Sequence, residues 1–199
     1  QMTNNIKLIG VVGAGQMGLG IAQVFATSGF DVLINDNNKI SLSNSSEVIK
    51  ENLKKAINKG RLHKNAGISS VKKIKSEFDI SQLGKCDLII EAATEDEKIK
   101  HEIFKDLIPH LQPHTILTSN TSSISITRLA ARTDRPEKFM GCHFMKPAPV
   151  MQLVELVRGI ATNEETANCL KDLVKKIGKI STNSEDFPAF IVNRILMPM

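Results

Sequence analysis

The sequence predicts an α/β fold in which helices cover both faces of a doubly wound, mostly parallel sheet. Short apolar runs typical of strands buried on both faces recur along the 199 residues, and segments with helical apolar spacing separate them. A glycine-rich turn joins the first run to the first helix. Because strands that alternate with helices favour a parallel sheet, we expect one such domain over residues 1–186 and the start of a second over residues 187–199.

The first elements form a β-α-β unit, which is normally parallel and right-handed. Ile21, Val24 and Phe25 share one face of its helix, and Gly29 marks the end of that helix. The predicted segments are, in order, a strand at 6–12, a glycine turn at 13–20, a helix at 17–28 and a strand at 31–35.

A lysine-rich stretch follows and predicts a helical segment that projects from the sheet. It is helical over about residues 47–59 and is long for a crossover between strands. A capping box from Thr162 to Glu165 opens a later helix that ends at Gly178. The other predicted elements are strands at 87–92, 115–119, 138–143, 152–157 and 179–184 and helices at 96–111 and 123–131.

The composition is that of an ordinary globular protein, with 41% hydrophobic and 24% charged residues. No apolar run approaches the roughly 20 residues that span a bilayer, so we expect no membrane partner. Residues 1–5 lack the pattern of a secretory leader. Cys86, Cys142 and Cys169 are odd in number and lack metal-ligand spacing. We therefore expect reduced thiols, no metal site, and a location in the cytoplasm or, in a eukaryote, the mitochondrial matrix.

The net charge of +5 is concentrated in one stretch. From Glu47 to Lys75, nine lysines and arginines face only two acidic residues, so the rest of the chain is slightly acidic. A local basic surface favours a polyanionic partner. We expect no nucleic acid, because the stretch lacks the interleaved aromatic residues that stack on bases. A phosphorylated small ligand fits better, and a simple solvated helix face is the alternative.

The turn after the first strand has the pattern G-x-G-x-x-G, formed by Gly13, Gly15 and Gly18. In a strand–turn–helix context this pattern is typical of a Rossmann-type dinucleotide-binding fold. Gly13 permits the tight turn, Gly15 lets the pyrophosphate approach the backbone, and Gly18 allows close packing of helix on strand. With the intervening Gln16 and Met17, these residues are the predicted phosphate-side contacts of the cofactor; the alternative is a glycine turn without a nucleotide.

Asp36 lies at the end of the second predicted strand, eighteen residues after Gly18. A carboxylate at this position accepts hydrogen bonds from the adenosine ribose hydroxyls and repels a 2′-phosphate. Asn37 and Asn38 follow, and no arginine is present there to receive such a phosphate. The sequence therefore predicts NAD as the cofactor rather than NADP.

His143 and Glu155 flank a proline-rich turn. Pro147 and Pro149 force a bend, so the following strand runs back and brings Glu155 beside His143. A carboxylate bonded to one ring nitrogen fixes the tautomer, and the other nitrogen then takes a proton from an alcohol. Cys142 points to the opposite face of the strand, which disfavours a Cys–His nucleophilic pair. A lone structural histidine is the alternative.

Several motifs in order resemble the NAD-dependent L-3-hydroxyacyl-CoA dehydrogenases, including the bacterial 3-hydroxybutyryl-CoA dehydrogenases. The resemblance runs from about Ile6 to the last residue. The motifs that carry it are Glu91-Ala92-Ala93-x-Glu95, Ser119-Asn120-Thr121-Ser122-Ser123, His143-Phe144-x-x-Pro147-x-Pro149-Val150-Met151-x-Leu153-Val154-Glu155 and Phe190-Ile191-Val192-Asn193-Arg194.

The resemblance implies a catalytic role for four residues. His143 would be the general base in oxidation and the acid in reduction, and Glu155 would orient it. Ser122 would hydrogen-bond near the substrate oxygen and the nicotinamide, and Asn193 would help hold the reacting carbonyl group of the substrate.

The resemblance also implies ligand contacts on both sides of this centre. Glu95 and Lys100 would lie beside the nicotinamide ribose; the alternative for this pair is a surface salt bridge at the start of a helix, which contributes little to stability. Lys59 matches a lysine that meets the coenzyme A phosphates, and Asn52 stands where the family has a serine nearby. The resemblance thus implies that the ligand of the basic stretch is coenzyme A.

Two departures from the family pattern stand out. Lys146 replaces the usual asparagine close to His143, on the cofactor side; there it would disfavour the imidazolium or point outward toward a coenzyme A phosphate. The chain also ends shortly after Arg194, where family members continue into a helical domain that closes over the substrate and forms a homodimer. Residues 187–199 are thus expected to begin that domain, which is largely absent.

The resemblance implies an oxidoreductase that interconverts (S)-3-hydroxyacyl-CoA, such as 3-hydroxybutyryl-CoA, and 3-oxoacyl-CoA with NAD in fatty-acid or butanoate metabolism. Two alternatives remain open. One is a catalytically weak structural NAD-binding relative, similar to lambda-crystallin. The other is one part of a larger, multifunctional fatty-acid oxidation protein.

Overall fold

A computed structural model of the protein describes residues 5–186, which form one eight-stranded sheet flanked by helices. The strand order is β3-β2-β1-β4-β5-β6-β7-β8. The strands are β1 (Leu8–Val12), β2 (Asp31–Asn35), β3 (Ile74–Ser76), β4 (Leu88–Glu91), β5 (Ile116–Ser119), β6 (Phe139–Phe144), β7 (Leu153–Arg158) and β8 (Ile180–Glu185). The helices are α1 (Gln16–Thr27), α2 (Lys39–Asn58), α3 (Lys64–Val71), α4 (Glu97–Leu107), α5 (Ile126–Ala131) and α6 (Glu164–Lys176).

Six strands, β3 to β6 in the order above, run parallel, in the arrangement of a Rossmann fold. β7 pairs antiparallel with β6, and β8 runs parallel to β7. The predicted doubly wound, mostly parallel sheet is confirmed. Strand order reverses between β1 and β4, so the crevice at their carboxyl ends is where such a sheet binds its ligands.

Both faces of the sheet are buried, which explains the nearly continuous apolar runs in its central strands. Alternate residues of a strand point to opposite faces. Ile9 and Val11 accordingly lie in the core beneath α1 and α6, whereas Val12 lies in the core beneath α4 and α5. In that second core the rings of Phe104 and Phe139 meet edge to face, with centroids 5.2 Å apart.

The stretch between β2 and β4 differs from the sequence prediction. The helix predicted over residues 47–59 begins at Lys39, because the Asn38 side chain caps it by accepting hydrogen bonds from the backbone N–H groups of Ile40 and Ser41. The structure adds α3 and β3, which were not predicted. Short polar residues fill the first half of α2, so its helical pattern is weak in the sequence. Its buried residues, Leu42, Ile49 and Leu53, attach it to the first core.

The start of α6 corrects a second prediction. Asn163, rather than Thr162, is the N-cap, and its side chain accepts from Thr166 N at 2.8 Å. Thr162 is buried and links the neighbouring strands instead: its hydroxyl donates to Phe139 O and accepts from Gly159 N. The other predicted elements agree with the structure to within a few residues. In the described part of the chain, no helix combines the length and apolar character that a membrane crossing requires.

Candidate active site

The glycine turn between β1 and α1 requires its first and last glycines. Gly13 has φ +116°, and a Cβ there would lie 2.5 Å from Ala92 O. A Cβ on Gly18 would lie 1.8 Å from Gly13 O, so helix and turn touch through backbone alone. Gly15 caps α1, and no heavy atom lies within 4 Å of where its Cβ would be. The turn is therefore closed beneath and open at the helix N-terminus, as a pyrophosphate cradle must be.

Asp36 lies at the carboxyl end of β2 and braces this turn. One carboxylate oxygen accepts from Ala14 N at 2.7 Å, and the other accepts from Asn38 N at 2.8 Å. The half-buried carboxylate also lines a cleft of about 670 Å³ that begins at Gly13. The contact with the adenosine ribose hydroxyls remains a prediction, and the structure adds a bracing role that the sequence pattern did not indicate.

The cleft beside Asp36 has the mixed character expected of an adenosine site. Four apolar side chains form part of its wall: Phe78, Ile80, Ile99 and Ile103. Phe78 is half-exposed, and the Lys39 ammonium lies 4.6 Å from its ring centroid. An apolar wall with a carboxylate at the edge suits a flat base joined to a sugar. The residues present therefore fit the adenosine half of NAD.

His143 and Glu155 are brought together by sheet pairing. They occupy directly opposed positions of the antiparallel pair β6–β7. His143 Nδ1 lies 3.0 Å from Glu155 Oε2, and the histidine side chain is 20% exposed. The carboxylate engages one ring nitrogen and leaves Nε2 for a ligand. Cys142 is buried on the opposite face, as predicted.

Ser122 lies exposed in the loop after β5, and Glu95 holds that loop on either side of it. Glu95 Oε2 accepts from Thr121 Oγ1 at 3.0 Å and from Ser123 Oγ at 3.1 Å. Asn120 ties the same loop to the strand that carries His143, because its side-chain oxygen accepts from Phe144 N at 2.7 Å. The residues around Ser122 therefore form hydrogen bonds that hold the loop, and the Ser122 hydroxyl is left exposed.

Lys100 lies away from the surface, in a buried polar cluster that the sequence reasoning did not identify. Its ammonium donates to Glu91 Oε1, and both side chains are 0% exposed. Ser119 donates to the same oxygen at 2.7 Å, and Glu95 Oε1 lies 4.0 Å from the Lys100 ammonium. The signal in the sequence that could have indicated this cluster is Glu91, a carboxylate at the end of the apolar run of β4. The alternative, a salt bridge between Glu95 and Lys100, is therefore present, but its lysine end is enclosed instead of lying at the surface.

Asn52 and Lys59 line a second cavity, of about 390 Å³, on the other side of the glycine turn. Gln16 and Met17 of the turn, the end of α2 and the turn between β6 and β7 form its walls. Lys146 is exposed and does not line this cavity. The structure thus places the predicted coenzyme A residues and part of the predicted cofactor turn around one groove.

Asn193 lies outside the described residues, as does the expected second domain over residues 187–199. The described chain ends at Asp186, whose carboxylate accepts from Ser125 Oγ at 2.8 Å and from Thr127 N at 2.7 Å. The end of β8 is therefore attached at the start of α5, directly after the loop that carries Ser122.

Comparison with known proteins gives the family. The model of the family described as 3-hydroxyacyl-CoA dehydrogenase, NAD binding domain, matches residues 8–187. The chain is 51% identical over 194 residues to a 3-hydroxybutyryl-CoA dehydrogenase of Bradyrhizobium diazoefficiens. The aligned region covers 98% of this chain and 66% of that protein.

Solved structures agree with this assignment. A 3-hydroxybutyryl-CoA dehydrogenase of Escherichia coli superimposes with a TM-score of 0.89 at 40% identity, over 98% of this chain and 41% of that one. An (S)-3-hydroxybutyryl-CoA dehydrogenase of Ralstonia eutropha gives a TM-score of 0.88 at 40% identity, over 98% of this chain and 69% of that one. The predicted resemblance and the NAD cofactor are confirmed. The chain belongs to the 3-hydroxyacyl-CoA dehydrogenase family, of which it carries the NAD-binding domain.

Proposed function

We propose that this chain catalyses the NAD-dependent interconversion of (S)-3-hydroxyacyl-CoA and 3-oxoacyl-CoA, with 3-hydroxybutyryl-CoA as a representative substrate. The observation that carries the proposal is the contact between His143 Nδ1 and Glu155 Oε2, at 3.0 Å. It lies at the end of the sheet that also holds the glycine turn and Asp36. The names of the relatives supply the substrate class.

In this proposal His143 carries the proton, and its contact with Glu155 supports that role. With Nδ1–H donated to Glu155, Nε2 is the acceptor for the hydroxyl proton of the substrate, and the nearby carboxylate stabilises the imidazolium that forms. NAD⁺, when bound, would supply the acceptor for the hydride that leaves the carbon carrying the hydroxyl group. In the reverse reaction the imidazolium returns its proton to the carbonyl oxygen. Ser122, held by the loop that Glu95 supports, donates its hydroxyl near the same oxygen.

Cofactor contacts follow from the two clefts around the glycine turn. Gly13, Gly15 and Gly18 with Gln16 and Met17 would hold the pyrophosphate. Asp36 would hold the adenosine ribose, and Glu95 would lie at the nicotinamide ribose. We propose that Lys100 acts on this ribose through Glu95, because its ammonium is enclosed between two carboxylates.

Acyl-CoA would lie in the groove lined by Asn52 and Lys59. Support comes from the basic side chains at the end of α2, which line the same cavity as the turn between β6 and β7. We further propose that Asn193 holds the reacting carbonyl group and that a domain beginning near residue 187 forms a homodimer. A cytoplasmic location, or the mitochondrial matrix in a eukaryote, fits such an enzyme of fatty-acid or butanoate metabolism.

The first experiment follows NADH absorbance after addition of acetoacetyl-CoA to this chain and to its His143→Ala variant. We expect oxidation of NADH that falls by at least about 100-fold in the variant, since a general acid contributes 10²–10⁴. Equal rates for the two proteins would contradict the role of His143. If NADH fluorescence showed binding but acetoacetyl-CoA gave no turnover, the proposed activity of this chain would be wrong, and a structural NAD-binding role would replace it.

A further inference from the structure

The groove that holds Asn52 and Lys59 also contains two buried polar residues whose hydrogen-bonding capacity the described residues meet only in part. Lys179 follows α6 and is 8% exposed, and Gln23 lies on α1 and is 4% exposed. Both line the same cavity. Neither was identified from the sequence, and neither belongs to the motifs that carry the family resemblance.

Lys179 is a cation without a countercharge in the described part of the chain. Its ammonium donates one hydrogen bond, of 2.6 Å, to Met151 O. An ammonium has three donors, so two of them are left for another partner. Burial lowers the pKa of the Lys179 ammonium, and no carboxylate acts against that effect. A buried charge with one neutral partner is costly unless an anion completes the site.

Gln23 has an unused acceptor, whereas Lys179 has unused donors. Its side-chain oxygen is buried and accepts no hydrogen bond from the residues that the structure describes. A buried acceptor without a donor costs about 1–3 kcal/mol. A ligand that carries both an anionic group and an N–H donor would satisfy Lys179 and Gln23 together.

The charge of the cavity points to the same class of ligand. Among residues 5–186, its lining includes four cations, Lys55, Lys59, Arg61 and Lys179, and no aspartate or glutamate. Three of them lie at or just beyond the end of α2, whereas Lys179 lies across the groove, beside the turn between β6 and β7. Cations on two sides of a groove suit a ligand with more than one phosphate.

We propose that Lys179 binds a phosphate of coenzyme A, and that Gln23 accepts a hydrogen bond from an N–H group of the same ligand. The inference rests on the proposed function, whose substrate class it deepens. It adds a buried lysine, from beyond α6, to the lysine already predicted at the end of α2. It also links ligand binding to the turn after His143, because Lys179 holds Met151 in that turn.

The test is calorimetric titration of coenzyme A, and separately of pantetheine, into this chain and into Lys179→Met. Pantetheine lacks every phosphate but keeps both amides. We expect Lys179→Met to weaken coenzyme A binding by at least about tenfold, since a charge-assisted hydrogen bond is lost, and to leave pantetheine binding unchanged. Lys175→Met is the matched control, because it removes an exposed lysine of α6 that does not line the cavity. It should change coenzyme A affinity less than about twofold.

Several outcomes would overturn the inference. Unchanged coenzyme A affinity in Lys179→Met would reject the phosphate contact, and equal losses for coenzyme A and pantetheine would show that Lys179 only shapes the turn. Failure of the unaltered chain to bind coenzyme A would reject the proposed substrate class as well. If Lys179→Met did not fold, Gln23→Leu would decide: weaker pantetheine binding supports the site, whereas greater stability with unchanged binding contradicts it.

Discussion

Glu155 stands directly opposite His143 in the antiparallel pair β6–β7, and the two side chains meet with Nδ1 and Oε2 3.0 Å apart. The register of two strands, rather than a loop, sets this distance. Directly opposed residues keep their spacing as long as the ladder holds. The orientation of the histidine therefore depends on the sheet itself.

Glu155→Gln tests this relationship. The amide keeps the shape of the side chain but cannot stabilise an imidazolium, so we expect kcat to fall by about 100-fold or more with little change in KM. Steady-state rates of NADH oxidation with acetoacetyl-CoA measure the effect. A variant that raised KM alone would show that Glu155 serves binding instead of proton transfer.

Removing one member of the buried pair Glu91–Lys100 should destabilise the fold. Both side chains are 0% exposed, so Glu91→Gln leaves the buried ammonium without its near countercharge, and the Glu95 carboxylate lies 4.0 Å away. We expect a loss of about 3–5 kcal/mol in the free energy of unfolding, measured in urea. The double variant Glu91→Gln with Lys100→Met should recover part of that loss. Strictly additive losses would mean that the two charges do not act as a pair.

Asp36→Ala should weaken NAD binding and reduce the preference for NAD over NADP. The substitution removes the acceptor of Ala14 N and Asn38 N as well as the predicted ribose contact. We expect kcat/KM for NAD to fall by about tenfold or more, with a smaller loss or a gain for NADP. Asp106→Asn removes a charge from the same cleft and serves as the control. Equal losses for both variants would reject a specific role for Asp36.

Lys146 remains the departure from the family that concerns catalysis directly. Its side chain is exposed, in the turn that follows the strand of His143. Because the substitution restores the residue that the family usually carries in this turn, we expect Lys146→Asn to raise turnover or to shift the pH profile of kcat. Rates measured across pH 6–9 in both proteins decide the matter, and superimposable profiles would contradict the prediction.

The thiols of Cys86 and Cys142 should be inert in the folded protein. Burial raises the pKa of each to about 12, and the nearby Asp87 carboxylate adds to the effect at Cys86. Both are neutral at pH 8, so iodoacetamide should modify them only after unfolding in urea. Because the folded pKa is raised, stability is lost as pH rises above the unfolded value of about 9. Rapid labelling of the native protein, detected by mass spectrometry, would contradict this environment.

Local patterns predicted much of the fold and the centre of the site. Buried strands, helices with one apolar face and the glycine turn are each encoded within about a dozen neighbouring residues, and the structure confirms them. The pairing of His143 with Glu155 was also predictable, since two prolines between them imply a return of the chain. Residues 39–76 were predicted less well. Their helix begins at the cap that Asn38 supplies, and β3 is only three residues long.

The sequence by itself determined the fold class, the NAD cofactor and the contact between His143 and Glu155, because each depends on a short spacing of residue types. Only the tertiary structure decided which polar groups meet beyond the carboxyl ends of the strands. Glu91 and Lys100 lie nine residues apart in sequence yet enclose each other, and Glu95 reaches Thr121 and Ser123 from the neighbouring strand. Lys179 and Gln23 share a cavity although 156 positions separate them. Such contacts depend on how strands and helices pack, so no pattern of neighbouring residues in the sequence predicts them.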